Sequence, residues 1–222
     1  MKYILPLFFL AFLAACEQAP KADKATTTEA QSVKEGEGTS YRVETDTSSS
    51  KVQWIGTKPT GKHTGRFLLH SGKLYVKDTL ITGGSLTIDM SSLKDLDLSA
   101  SDTALQRKLE TELKGPLFFD VDKYPVATFE ITGASDFRPS VGNDVMMKDA
   151  NYNIQGNLTI KDITKNISFP ACVKISKGVL TAEAVFNIDR TIWGMTYRAD
   201  KSVQDKLINS QVNIQVKLKA VK

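Results

Sequence analysis

The sequence predicts an all-β protein, an antiparallel up-and-down β-barrel of about eight strands with one short helix. Three observations carry that expectation. From residue 152 onward apolar and polar residues alternate: Tyr152, Ile154, Gly156, Leu158 and Ile160 oppose Asn153, Gln155, Asn157 and Thr159, and the same period of two recurs over 167–175, 180–188 and 212–220. Upstream, the aromatic-rich turn Leu117-Phe118-Phe119 leads to Tyr124-Pro125. Proline forbids helix at the residue before it, so the chain leaves the turn extended, with Ala127, Phe129 and Ile131 on one side. Finally, strands with one apolar face joined by short turns are half-buried and antiparallel, which leaves a closed barrel or a sandwich. The aromatic turn, whose three large side chains need burial, reads as a plug for a barrel end.

The N-terminus carries an address. Met1-Lys2 gives a positive start, residues 4–12 are apolar, and Leu13-Ala14-Ala15 precede Cys16. Small residues before a cysteine mark a bacterial lipoprotein, and so short an apolar run cannot span a bilayer. Residues 1–15 are therefore expected to be a signal peptide. Cys16 is expected to carry the lipid, placing the protein in the bacterial cell envelope, on the periplasmic side or the cell surface. Residues 16–40 hold almost no large apolar side chain and read as a flexible tether spanning on the order of 27 Å; the folded domain should occupy 41–222.

Composition narrows the function classes. The 222 residues are 41% hydrophobic and 24% charged, ordinary for a globular protein, and 29 basic against 25 acidic residues leave +4, or +3 once Lys2 is removed. Basic residues are scattered without interleaved stacking aromatics, which argues against a nucleic-acid partner. With Cys16 acylated, Cys172 stands alone and no intrachain disulfide can form.

Along the domain, residues 41–46 and 51–57 are short strands around a serine-rich turn, the second placing Val52 and Trp54 on one face. Residues 63–76 and 79–90 are two long strands around Lys77-Asp78, with Leu80, Leu86, Ile88 and Met90 on one side and a bend at Gly83-Gly84. The helix spans 103–114. Thr103 and Gln106 form a capping-box pattern, Leu105, Leu109 and Leu113 make one stripe, and Gly115-Pro116 ends it. Small residues at inward positions (Gly156, Ala171, Ala182, Ala184, Ala220) leave room for an elongated apolar guest, although they serve barrel taper and curvature equally well.

No catalytic or metal-binding pattern stands out. There are two histidines, no Gly-x-Ser-x-Gly elbow, no phosphate loop and no metal-type spacing. Asp95, Asp97 and Asp102 read as a solvated loop, and Cys172, on the polar face of its strand, as an inert thiol.

With these residues in view, the chain over 41–222 resembles the YceI-like family of lipocalin-like barrels associated with polyisoprenoid binding. The segment Leu113-Lys114, Phe118-Phe119-Asp120-Val121, Lys123-Tyr124-Pro125 and Ala127-Thr128-Phe129 is similar to the family's opening motif. Gly156-Asn157-Leu158-Thr159-Ile160-Lys161 with Thr164-Lys165 resembles its later hairpin. Phe186, Arg190, Trp193-Gly194-Met195 and Tyr197 resemble its arginine-aromatic-glycine motif. Where many relatives carry histidines, this chain has Ser49, Lys58 and Glu112.

The resemblance implies a lipocalin-like barrel that encloses an isoprenoid or other long-chain lipid, of the quinone or polyprenyl phosphate type; with the lipoprotein signal and the lack of catalytic patterns, the expectation is a membrane-tethered, non-catalytic protein that sequesters or carries that lipid without a further cofactor. The candidate lining is Trp54, Phe67, Leu86, Ile88, Phe129, Ile131, Leu158, Ile160, Phe186 and Ile188. Arg190, Trp193 and Tyr197 are placed at a rim, where Arg190 either meets a headgroup or pairs with Asp189 or Asp200. The alternative is a structural or protein-interaction barrel filled by its own side chains. Association into a homodimer stays open.

Overall fold

Eight consecutive strand positions form a closed antiparallel meander in the computed structural model, which describes residues 19–98, 102–138, 145–199 and 207–222. The strands are β1 (Asp23–Lys24), β2 (Thr26–Glu29), β3 (Thr39–Val43), β4 (Lys51–Lys58), β5 (Gly61–Lys77), β6 (Leu80–Asp95), β7 (Val126–Asp136), β8 (Tyr152–Ile160), β9 (Ile163–Ser176), β10 (Val179–Asp189) and β11 (Gln211–Val221), with one helix, α1 (Thr103–Lys114), between β6 and β7. Each of β4 to β11 pairs with the next, and β11 pairs back onto β4, closing the barrel. Hydrophobic side chains from every barrel strand meet in one interior core.

The first barrel position is a single strand interrupted once. β3 and β4 both lie between β11 and β5 and run in the same direction, β3 against Lys73–Val76 and β4 against Gly61–Phe67. Residues 44–50 leave the ladder between them. That excursion is folded around Asp46, whose carboxylate accepts the backbone N–H groups of Ser48 and Ser49 at 3.1 and 3.0 Å.

The segment expected to be a free tether is largely bound to the barrel. β9 and β10 pair with each other only over Cys172–Ser176 and Val179–Glu183; beyond that they separate. The N-terminal segment lies between them, β1 parallel to Phe186–Asn187 of β10 and β2 antiparallel to Lys165–Ser168 of β9. Residues 30–38 then cross the outside of the barrel: Gln31 and Asn157 exchange two hydrogen bonds of 3.0 and 2.7 Å, and the Glu37 N–H donates to Thr82 Oγ1 at 3.0 Å. Backbone pairing and buried amides replace the apolar burial that the composition lacks. Cys16 and the signal peptide lie outside the described residues.

Other expectations also need correction. The bend at Gly83-Gly84 shifts the β5–β6 register and inverts the phase before it, so Ile81 is buried (4% exposed) and Leu80 is not (43%). The capping box does not form: the Gln106 amide instead donates to the Asp95 carbonyl at 3.0 Å, tying the helix to β6. Leu105 is exposed, so only the C-terminal part of the expected stripe packs, with Leu113 against the core. Of the aromatic turn, Phe118 is buried and Phe119 packs on the core, while Leu117 faces outward. Cys172 is buried beneath the β7–β8 connection, where Asn151 bonds the backbone of Ala171 and Val173.

Candidate functional site

The barrel holds an apolar cavity of about 230 Å³ whose accessible wall is entirely nonpolar. An apolar cavity of about 150 Å³ already accepts a benzene ring, so this space exceeds a five-carbon prenyl unit. The small side chains Ala171, Ala182 and Ala184 line it and leave that room. Gly156 and Ala220 do not. A Cβ on Gly156 would lie 2.3 Å from the Phe129 ring, so that glycine admits an aromatic neighbour rather than a guest, and Ala220 is packed in the core.

All ten apolar candidates line this cavity. Trp54, Phe67, Leu86 and Ile88 come from β4, β5 and β6, Phe129 and Ile131 from β7, Leu158 and Ile160 from β8, Phe186 and Ile188 from β10. They converge because alternate residues of each strand point inward. Residues not singled out from the sequence complete the wall: Ile167, Phe169 and Val173 from β9, Val212, Ile214 and Val216 from β11. Their period-two pattern was visible; their place against the cavity depends on barrel closure.

One end is stoppered by the aromatic turn. Phe119 stands edge-on to Phe67 with ring centroids 5.4 Å apart, and Phe118 edge-on to Tyr197 at 5.7 Å. Val121 N–H donates to the Lys114 carbonyl and Phe119 N–H to that of Leu113, which folds the turn back on the helix end.

Arg190 lines the same end but works as a clamp. It is 4% exposed, and its Nε–H donates to Asn209 O at 3.1 Å, its Nη2 to Tyr197 O and Ile208 O at 2.9 and 2.8 Å, and its Nη1 to Met195 O. Four of the five guanidinium N–H donors are therefore committed to backbone carbonyls that hold the β10–β11 connection. Burial lowers its pKa, opposed by the neighbouring Asp189. Asp189 instead caps the 3-10 turn that follows it, accepting the Thr191 N–H at 3.0 Å.

Trp193 and Tyr197 do not line the cavity. Trp193 is fully buried, its indole N–H donating to Leu158 O at 3.1 Å, and Tyr197 rests on Phe118. Tyr197 thereby braces the stopper. By contrast, the buried indole N–H of Trp54, a lining residue, meets no acceptor among the described residues.

A polar cluster sits at the start of β5. His63, Asp95 and Asp97 bring one potential ligand atom each within 4.8 Å of one another. One imidazole and two carboxylates form a donor set suited to a divalent cation, yet ordinary bonds account for most of it. Asp97 accepts the Thr64 N–H and faces His63 Nδ1 at 3.1 Å, while Asp95 accepts the Leu98 N–H at 2.9 Å. Asp95 is 1% exposed, and burial, with Asp97 beside it, pushes its carboxyl pKa up. The sequence reading of Asp95 as a solvated loop residue is thus overturned, because the last inward position of β6 falls there.

A closed eight-stranded barrel around an apolar cavity, with one end stoppered by aromatics, is the architecture of a lipocalin-like binding protein. The chain belongs to the YceI-like family: the YceI-like domain model matches residues 41–220. The crystal structure of BcnA from Burkholderia cenocepacia is similar over 79% of this chain and 99% of its own, with a TM-score of 0.58 and 22% identity. A structure described as a polyisoprenoid binding domain from Saccharophagus degradans, implicated in plant cell wall breakdown, is similar over 82% of this chain and 97% of its own, with a TM-score of 0.56 and 15% identity. No curated protein matches the chain.

Proposed function

We propose that this protein sequesters or carries an isoprenoid lipid in its barrel, without catalysis, while moored to a membrane of the bacterial envelope through a lipid on Cys16. The single observation that supports the binding reading most is the apolar cavity of about 230 Å³, lined by side chains from all around the barrel. Burying a prenyl chain there contributes about 0.8 kcal/mol per methylene, so the tail alone supplies affinity. Family membership and the likeness to the polyisoprenoid binding domain from Saccharophagus degradans favour an isoprenoid among hydrocarbon ligands.

The nonpolar wall favours an uncharged head. Arg190 holds backbone carbonyls with most of its donors, which disfavours a phosphate. A quinone or prenyl alcohol is therefore preferred over a polyprenyl phosphate.

Organic extraction of protein purified from its own membranes, followed by mass spectrometry, tests the reading; a bound prenyl lipid is expected. Recovery of none, together with no uptake of added quinone, refutes it. Mooring has its own test: a fatty-acid label should mark the wild type and miss Cys16→Ser.

A further inference from the structure

We infer that the slit between β9 and β10 is a lateral portal into the cavity and that residues 23–29 are the movable strand that shuts it. The inference rests on the cavity reading and adds the route by which a ligand enters. Where β9 and β10 part, the inward side chains of both banks are cavity wall: Ile167, Phe169 and Ala171 on one, Ala184, Phe186 and Ile188 on the other. Neighbouring strands lie about 4.8 Å apart, so withdrawing the interposed segment leaves banks roughly 10 Å apart, a slit running along the cavity. Behind the segment the stacked rings of Phe169 and Phe186, 4.1 Å between centroids, bridge the banks.

The closing strand has the features of an element that opens locally. It pairs with β10 only through Asp23 and Lys24, whereas β11 pairs along the whole of β10. β2 lies mostly exposed, and Ala25 is the one residue of this segment in the buried core. Besides the short backbone ladder between β2 and β9, what holds the segment is a set of polar ties. The Asp23 carboxylate accepts the Met146 and Met147 N–H groups at 2.9 and 3.2 Å, Ala25 N–H donates to Asn187 O at 2.9 Å, Asn187 Nδ2 donates to Pro20 O at 3.0 Å, and Lys165 pairs with Glu29 at 2.6 Å. The exposed ones among them, Met146 N–H to Asp23 and Lys165 to Glu29, exchange readily with water. An elongated hydrocarbon can then enter broadside instead of threading past the stoppered end.

A reversible lock tests the inference on the full chain. Thr26 and Ser168 face each other in the β2–β9 register, so Thr26→Cys with Ser168→Cys should form a disulfide that fixes the strand. The probe is all-trans-retinol, a fluorescent isoprenoid alcohol, followed by energy transfer from tryptophan. The oxidised lock should slow both uptake and release by about tenfold or more while affinity stays within about twofold, and dithiothreitol should restore the rates. Asp23→Ala, which removes two of the ties, should speed exchange severalfold. Equal rates for locked, reduced and Asp23→Ala proteins that all bind retinol would overturn the portal and leave the cavity reading intact. No retinol uptake by any form, including the wild type, would overturn both.

Discussion

Phe169 and Phe186 stack with their planes 14° apart across two strands that no longer pair at that level. Beneath the interposed N-terminal strand, the stack links the two parted strands directly. Phe169→Ala should cost about 3–5 kcal/mol, from lost burial and an enlarged cavity. Urea unfolding measures it; a loss below 1 kcal/mol would show that the parted strands do not depend on this contact.

The Trp54 indole lies over Gly65 so closely that a Cβ there would sit 2.2 Å from its ring and 2.7 Å from the Lys94 carbonyl oxygen. Gly65→Ala must displace either the ring or the backbone of β6, and should destabilise by about 1–3 kcal/mol with a shift in tryptophan emission. An unchanged spectrum and an unchanged midpoint would contradict that packing.

Arg190→Met should strand four carbonyls and destabilise by about 3–5 kcal/mol, and Arg190→Lys should rescue little, since an ammonium cannot copy the planar fork. Amide exchange should accelerate through the β10–β11 connection in both variants. Full rescue by lysine would mean that charge rather than geometry matters.

Hydrogen bonds from Ser48 and Ser49 lower the Asp46 pKa to about 2. A depressed carboxyl contributes stability that is fully present above its unfolded value of about 3.9 and is lost as pH falls through the folded one. Carboxyl titration by NMR should therefore place Asp46 near 2, and Asp46→Asn should flatten the acid limb of the stability curve. A midpoint near 4 rejects the turn geometry.

The barrel was legible because period-two strands such as 152–160 and 180–188 can satisfy an apolar interior only by closing. The inward residues of β7, β8 and β10 follow directly. Phase was harder: the Gly83-Gly84 irregularity moves Ile81 inward and Leu80 outward, and a count by twos cannot register an extra residue. The N-terminal strand was missed because its association relies on backbone pairing and on Asn157, Asn166, Asn187 and Asn213, amides on outward positions that read as solvated. A signal was nonetheless present. Thr26-Thr27-Thr28 is a β-branched run in a segment otherwise poor in strand formers.

If Cys16 carries the proposed lipid, the seated strand also sets how far the protein can stray from it. From Cys16 to Asp23 the chain extends at most about 25 Å, so a lipid on Cys16 would keep the barrel hugging the headgroups while residues 23–29 are docked. Were that strand and the crossing stretch behind it to peel away as far as Thr39, the leash would lengthen to about 80 Å. One short run of threonines would then govern both the doorway and the radius within which the container can meet a donor or acceptor membrane.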